Sequence, residues 1–387
     1  MSSTYPNLRS ADVTLLPSLV LRCCGTALIL GCVSSFLLGC AAGAASTPAS
    51  PVPIPPQTFV TSHAYGASIT YGETLANPTK QAYPYLVAVD RSLTVTDYAI
   101  PGDQACDLPT RQIFPNSDSP ALAAPPLYTM LVGTNDVDVE GTGPYEAIYN
   151  LCQQAIITWL GIPVEFKVLA GSPTGVTTSG GGAIDTTNNW NSWTTAAKGS
   201  SITFAITTTK AGPIYAWPRI DDNNPGTYSY SLDGAALGTG TTQTTPRLVT
   251  QNGSSNSLGL LRIPGVPAGK HTLTFTQTSA AANGFSIVGV GAPQTPTSGY
   301  LPTVLVGTIT FQLPGNPNFL CSKNDAPCQQ YNLDIAANVN LLAGDGLNVR
   351  LFDTRKFMFG TAAEMNDTLH PNAFGQVELS HAVESVF

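Results

Sequence analysis

The chain has 387 residues, of which 43% are apolar and only 10% charged, with a formal net charge of -8. That length can bury one large core or two ordinary ones, and charge so far below the usual quarter or so of a soluble chain leaves a surface of Thr, Ser, Asn, Gln and Gly, as suits a secreted protein. An acidic chain without a run of Lys or Arg offers no footprint for a phosphate backbone, so nucleic acid is not an expected partner.

Arg22 precedes a nearly uncharged apolar stretch, residues 23–38, which runs into Leu37-Leu38-Gly39-Cys40. Charge, apolar run and small residues in that order read as an export signal over residues 1–40. The Leu-Leu-Gly-Cys ending resembles the bacterial lipobox, whose cysteine is lipidated, so Cys40 is the expected anchor to a membrane of the cell envelope. Other readings stay open: an ordinary signal cut within the Ala-rich residues 41–45 and a secreted product, or a retained membrane helix, although the stretch is short for a span of about 20 residues. Ile29-Leu30-Gly31-Cys32 is a second match. Residues 41–57, with Pro48, Pro51, Pro53, Pro55 and Pro56, exclude a helix or a central strand and read as a semi-extended tether.

From residue 58 the pattern becomes that of a folded domain. Residues 59–64 form a short apolar run that feeds into Gly66-Ala67-Ser68-Ile69-Thr70-Tyr71-Gly72, a strand entering a tight turn with Ser68 at the transition. Residues 93–100 alternate and end at Pro101-Gly102-Asp103, a second strand, and residues 127–132 are a third, ended by Gly133-Thr134-Asn135-Asp136. Residues 145–160 place Ala147, Ile148, Leu151, Ala155, Ile156 and Trp159 at helical spacing, with Gly161 and Pro163 as the stop. Strands separated by loops and a helix predict a parallel α/β sheet.

Between residues 164 and 297 Thr, Ser, Gly and Asn dominate. Short alternating runs at 201–207, 226–232, 258–263 and 271–277 are separated by turns such as Asp221-Asp222-Asn223-Asn224-Pro225-Gly226, the pattern of an antiparallel β-sandwich. A strand at 304–311, a helix at 331–342, a strand at 349–352 and a helix at 376–386 follow, so the sandwich is expected as an insertion between domain parts 58–163 and 298–387. Trp190, Trp193, Trp217, Tyr215, Tyr228 and Tyr230 cluster in its first half; such rings serve either as core or as platforms for pyranose faces.

Besides Cys40, the folded part carries Cys106, Cys152, Cys321 and Cys328, an even count that in an exported chain predicts two disulfides. Three connectivities are possible; the short spacing of Cys321 and Cys328 favours that pair and leaves Cys106 with Cys152. A thiolate metal site would need paired cysteines with histidine partners, and His63, His271 and His381 stand elsewhere, so no metal or cofactor is expected. The acidic run Asp136-Val137-Asp138-Val139-Glu140 lacks the glycine turn and terminal Glu of a calcium loop and reads as a solvated loop. His63, on the strand leading to Ser68, reads as a core or near-site residue, and Asp353 as a strand-ending carboxylate, structural or close to the site.

The Gly66–Gly72 stretch, Tyr98-Ala99-Ile100-Pro101-Gly102-Asp103, Gly133-Thr134-Asn135-Asp136 and Asp367-Thr368-Leu369-His370 together resemble, in order, the sequence blocks of the SGNH hydrolases, also called GDSL-like lipases and acylhydrolases. The resemblance covers roughly residues 59–160 and 302–387. It implies a flavodoxin-like three-layer sheet, Ser68 as nucleophile, the Ser68 and Gly102 N–H groups and the Asn135 amide as oxyanion-hole donors, and Asp367 and His370 as the rest of a triad. Ala67 departs from the pattern, standing where the family usually has Asp.

The chemistry requires the same residue types. A serine hydroxyl needs a base, imidazole suits that task near neutral pH, and a carboxylate three residues upstream can orient the ring. Each well-placed donor to the developing oxyanion contributes on the order of 3 kcal/mol. Taken singly, each block is an ordinary turn or cap, and Gly-x-Ser here lacks the second glycine of an α/β-hydrolase elbow. In order and at strand ends, they predict an esterase that hydrolyses a small acyl ester through an acyl-enzyme, with an acylated glycan among the expected substrates. O-acyl transfer at the same site and a non-catalytic glycan-binding lipoprotein are the alternatives.

Overall fold

The computed structural model describes residues 59–119, 126–279, 284–294, 301–315, 320–322 and 325–387. The export signal, Cys40 and the tether lie outside the described residues. No helix among the described residues is long and apolar enough to cross a membrane.

Five parallel strands form the central sheet: β1 (Thr61–Gly66), β2 (Thr94–Asp97), β3 (Leu127–Leu131), β4 (Thr303–Gly307) and β5 (Asn348–Phe352), in spatial order 2-1-3-4-5. Every residue of β3 and β4 is buried, which is why these strands read as continuous apolar runs, whereas β2, at the edge, alternates with solvent. Helices cover both faces. The helices α1 (Ser68–Tyr71), α2 (Pro78–Gln81) and α3 (Tyr83–Arg91) follow β1; α4 (Thr134–Glu140) and α5 (Pro144–Gly161) follow β3; α6 (Ala326–Gly344) precedes β5, and α7 (Ala373–Glu384) closes the domain. Tyr65, Tyr128 and Met130 pack with Ile148, Ile156, Tyr331 and Ile335 of α5 and α6 on one face. Leu127, Leu131 and Leu305 pack with Tyr83, Val87, Leu379 and Val383 of α3 and α7 on the other. In such an open parallel sheet the crevice lies at the carboxyl ends of the strands where the order reverses, here beside β1 and β3.

The strand expected at residues 59–64 is shifted to Thr61–Gly66, and the run at 258–263 is split into Asn256–Leu258 and Leu261–Val266, paired to different parts of one partner strand. Helices α3 and α4 were not anticipated. Pro84 near the start of α3 masks it, although proline is tolerated at a first turn. The stretch Asp136-Val137-Asp138-Val139-Glu140, expected as a solvated loop, is instead most of α4.

The interruption is antiparallel throughout. One sheet runs Ala235–Thr241, Thr227–Leu232, Gly269–Gln277, Ser201–Thr208, Val176–Ser179; the other is built around Gly212–Asp221 and Phe285–Gly291. The aromatic residues do not form an exposed platform. Trp193 and Tyr228 lie in the sandwich core with Phe204, Phe275 and Phe285, and Tyr230 packs partly buried against it. Trp190, Tyr215 and Trp217 belong to the same buried cluster as α5. Trp217 Nε1 donates to Thr158 Oγ1 at 3.0 Å, Lys167 Nζ donates to the Trp159 carbonyl at 2.6 Å, and Arg262 forks onto Asp345 at 2.6 and 2.7 Å. Burying rings of this size contributes roughly 3 kcal/mol apiece. The insertion is therefore seated on the parallel-sheet domain through a shared apolar core.

Cys106 is bonded to Cys152 and Cys321 to Cys328. The first bridge ties the segment after Gly102 to α5.

Candidate active site

Ser68 is the first residue of α1, at the carboxyl end of β1, and is 6% exposed. A Cβ at Gly66 would fall on the Leu131 carbonyl and the Thr70 hydroxyl, so only glycine permits the sharp passage from strand to helix. Ala67 occupies the N-cap without a side-chain cap bond, the expected consequence of an alanine there. The Ser68 and Gly102 backbone N–H groups donate to no backbone acceptor among the described residues.

Asp103, fully buried, joins the next two blocks to the first. Its carbonyl accepts from Asn135 Nδ2 at 2.9 Å, its Oδ1 pairs with Arg111 at 2.7 Å, and its Oδ2 accepts from Gln112 Nε2 at 2.7 Å. Gln112 also bonds both backbone groups of Gly66, its Nε2 to the carbonyl at 2.8 Å and its Oε1 to the N–H at 3.2 Å. Burial pushes the Asp103 carboxyl up to about 6, against the opposing pull of Gln112 and Arg111. Next to Asn135, both oxygens of buried Asp136 accept the Ala105 N–H at 3.0 and 3.1 Å. Burial, then the Glu140 charge, raises Asp136 well above the usual carboxylate range. Asp138 accepts from Gln312 and Leu320, and Glu140 from Gln104. These acidic residues tie α4 to its neighbours.

Gly133 explains how Asn135 is presented. Its φ of +125° and the 2.8 Å approach that a Cβ would make to Ile309 Cδ1 require glycine. The turn allows α4 to begin directly at the end of β3, beside Gly102.

Asp367 Oδ2 lies 2.8 Å from His370 Nδ1, while its Oδ1 accepts the backbone N–H groups of Leu369 and His370 at 2.7 and 2.6 Å. Burial would raise the Asp367 carboxyl, but the His370 ring and those two N–H groups outweigh it and hold it below the usual range. The loop is laid against the chain that leaves Ser68: Asn366 Nδ2 bonds the Thr74 carbonyl and hydroxyl at 3.2 and 2.9 Å, and Gln376 Nε2 bonds the Ile69 carbonyl at 2.9 Å. His370 Nε2 is 3.5 Å from Glu73 Oε2. No hydrogen bond among the described residues joins it to Ser68. Spacing alone does not single out His370, since His381 has Glu378 three residues upstream at 3.5 Å, but that pair sits on α7 with the His381 side chain 54% exposed.

His63 Nδ1 is 2.6 Å from Asp118 Oδ2, in a cluster with Tyr65 and Tyr128. Asp353 caps the turn at Thr354–Lys356 by accepting from the Arg355 N–H and accepts from Thr308 Oγ1, a structural role. Glu73, Asp103 and Gln112 are the site residues that the sequence reading did not assign. Asp103 was legible only as the neighbour of Gly102, and nothing local marks Glu73 or Gln112.

No protein-family model matches the chain, and no curated protein matches it. Among solved structures it is similar to a two-domain esterase active on acetylated mannans, co-crystallised with mannopentaose, at 14% identity and a TM-score of 0.35 over 62% of this chain and 92% of that one. It is also similar to CBM35 from Paenibacillus barcinonensis, at 16% identity and a TM-score of 0.25 over 32% of this chain and 94% of that one. A third likeness is to the carbohydrate-binding module CBM36 in complex with calcium and xylotriose, at 12% identity and a TM-score of 0.24 over 32% of this chain and 96% of that one. At such TM-scores neither activity nor ligand carries over to this chain.

Proposed function

We propose that this protein is an exported serine carboxylic ester hydrolase of the SGNH type, with a flavodoxin-like hydrolase domain in two parts, 58–163 and 298–387, and an inserted sandwich, 164–297. The observation that carries the reading is the Asp367–His370 pair at 2.8 Å on a loop bonded to the residues that follow Ser68.

Asp367 holds the Nδ1–H tautomer of His370, which leaves the Nε2 lone pair for the Ser68 proton. As Ser68 Oγ attacks the acyl carbon, the proton passes to His370 Nε2 and the carbonyl electrons move onto oxygen. That oxyanion accepts from the Ser68 and Gly102 N–H groups and from the Asn135 amide, whose second N–H is free of Asp103. His370 then protonates the departing alcohol, and water repeats the sequence to release the acid.

The substrate in this reading is a small acyl ester, with acetylated polysaccharide as its natural form. Anchorage through a lipid on Cys40 belongs to the same proposal. The test is hydrolysis of nitrophenyl acetate and longer acyl esters by the wild type and by Ser68→Ala, with acetate release from acetylated polysaccharide measured alongside. Equal rates for the two proteins would defeat the reading.

A further inference from the structure

The turn that carries Gly102 is held from outside its own domain. Between the sandwich strands Ala235–Thr241 and Asn256–Leu258 the chain reaches across to it. Gln251 Nε2 donates to the Gly102 carbonyl, and Asn252 Nδ2 donates to the same carbonyl at 3.0 Å and to Asp103 Oδ1 at 3.1 Å. Flanking bonds fix the approach: Thr250 Oγ1 donates to Asp107 Oδ1 at 2.7 Å, and the Gln251 N–H donates to Gln104 Oε1 at 2.7 Å.

The reaching segment is hydrogen-bonded within itself. The Thr250 N–H donates to the Ser254 carbonyl at 3.1 Å, the Gly253 N–H to the Thr250 carbonyl at 2.8 Å, and the Ser254 N–H to Thr250 Oγ1 at 3.0 Å. Its base is anchored by Leu248, buried in the core shared with the parallel-sheet domain, whose N–H is held by the buried Asp222 carboxylate at 2.5 Å.

Gly102 has a φ of +84°, and glycine in such a turn is the residue whose peptide planes reorient most cheaply. Two side-chain amides on its carbonyl fix the plane that follows it, the Asp103 N–H on the Ile100 carbonyl at 3.1 Å closes the turn, and Asn135 holds the next carbonyl. These bonds hold Gly102 and the peptide that follows it in place, and with them the point from which the Gly102 N–H projects. Donors that need no reorganisation during reaction are what make an oxyanion hole effective.

We infer that Gln251 and Asn252 are positioning residues of the ester-hydrolase site, holding the Gly102 N–H on the oxyanion, so that the inserted sandwich is a working part of the catalytic centre. This rests on the esterase reading above. It assigns the two amides to the transition state and not to ground-state binding.

The test compares the full-length wild type with Gln251→Ala, Asn252→Ala and the double variant on nitrophenyl acetate, with rates referred to active sites titrated with a fluorophosphonate so that unfolded molecules do not count. The expected result is a fall in kcat of about tenfold for each single variant and more for the double variant, with KM within twofold. Affinity for a boronic acid, which becomes tetrahedral on the serine, should fall in parallel with kcat. Unchanged kcat per titrated site, or a rise in KM with kcat intact, would overturn the inference while leaving the esterase reading standing. A wild type no faster than Ser68→Ala would remove both.

Discussion

His370 Nε2 lies 3.5 Å from Glu73 Oε2, so the ring that faces Asp367 with one nitrogen faces a second carboxylate with the other. In the proposed mechanism a carboxylate there attracts the N–H that Nε2 gains from Ser68, and because the Glu73 side chain is 45% exposed, solvent screens that attraction to at most about 1 kcal/mol. Glu73→Gln is expected to lower kcat about two- to fivefold on nitrophenyl acetate with KM unchanged, and a variant faster than the wild type would contradict this role.

Asp367→Asn should cost far more. An amide in its place no longer enforces the Nδ1–H tautomer, and a comparable change in a serine triad lowers turnover about 10⁴-fold. The measurement is kcat at neutral pH. Because the hydrogen bonds around Asp367 hold its carboxyl below the usual range, its contribution to stability is present at neutral pH and lost as pH falls through that range. Thermal melts should show Asp367→Asn and wild type converging in acid.

Asn135→Ala removes the proposed oxyanion donor and frees the Asp103 carbonyl at once. A fall in kcat of about a hundredfold is expected, with KM little altered. Steady-state kinetics on one short ester decides it.

Asp97 closes β2 with its carboxyl pushed up to about 7 by burial, partly offset by the Ala99 N–H. A raised acid favours folding at low pH, and the benefit disappears as pH rises from about 4 to about 7. Asp97→Asn keeps an acceptor for Ala99 and removes the charge. Its melting temperature should exceed that of the wild type above pH 7, by a difference on the order of 3–4 kcal/mol in unfolding free energy, and the gap should close toward pH 4. A constant gap across that interval would refute the assignment.

Breaking the bridge between Cys106 and Cys152, which are 46 residues apart, should cost about 4 kcal/mol from the loop that it closes. The paired serine variant is expected to melt earlier. Its remaining folded fraction should also be slower, because the segment after Gly102 loses its tie to α5.

The parts of this site that were legible in the sequence are those written locally. Ser68, Gly102 and Asn135 stand at strand ends, and Asp367 reaches His370 across a single turn. Helix α4 was not legible, since Asp136, Asp138 and Glu140 give it no apolar period and their side chains bond to distant segments. The sandwich was visible in its turns and alternation, but composition cannot tell a ring that faces sugar from one that faces α5, and Trp217 proved to be the latter. Asn252 meets Gly102 from 150 residues away, a contact that only the docking of two domains creates.

The central claim is that Ser68 is a nucleophile activated by His370, and covalent trapping tests it most directly. Treatment of the intact protein with a fluorophosphonate, followed by peptide mass spectrometry, should place a single adduct on Ser68, with none in Ser68→Ala and much slower labelling in His370→Ala. An adduct on another residue, or labelling of Ser68→Ala at the wild-type rate, would contradict the account.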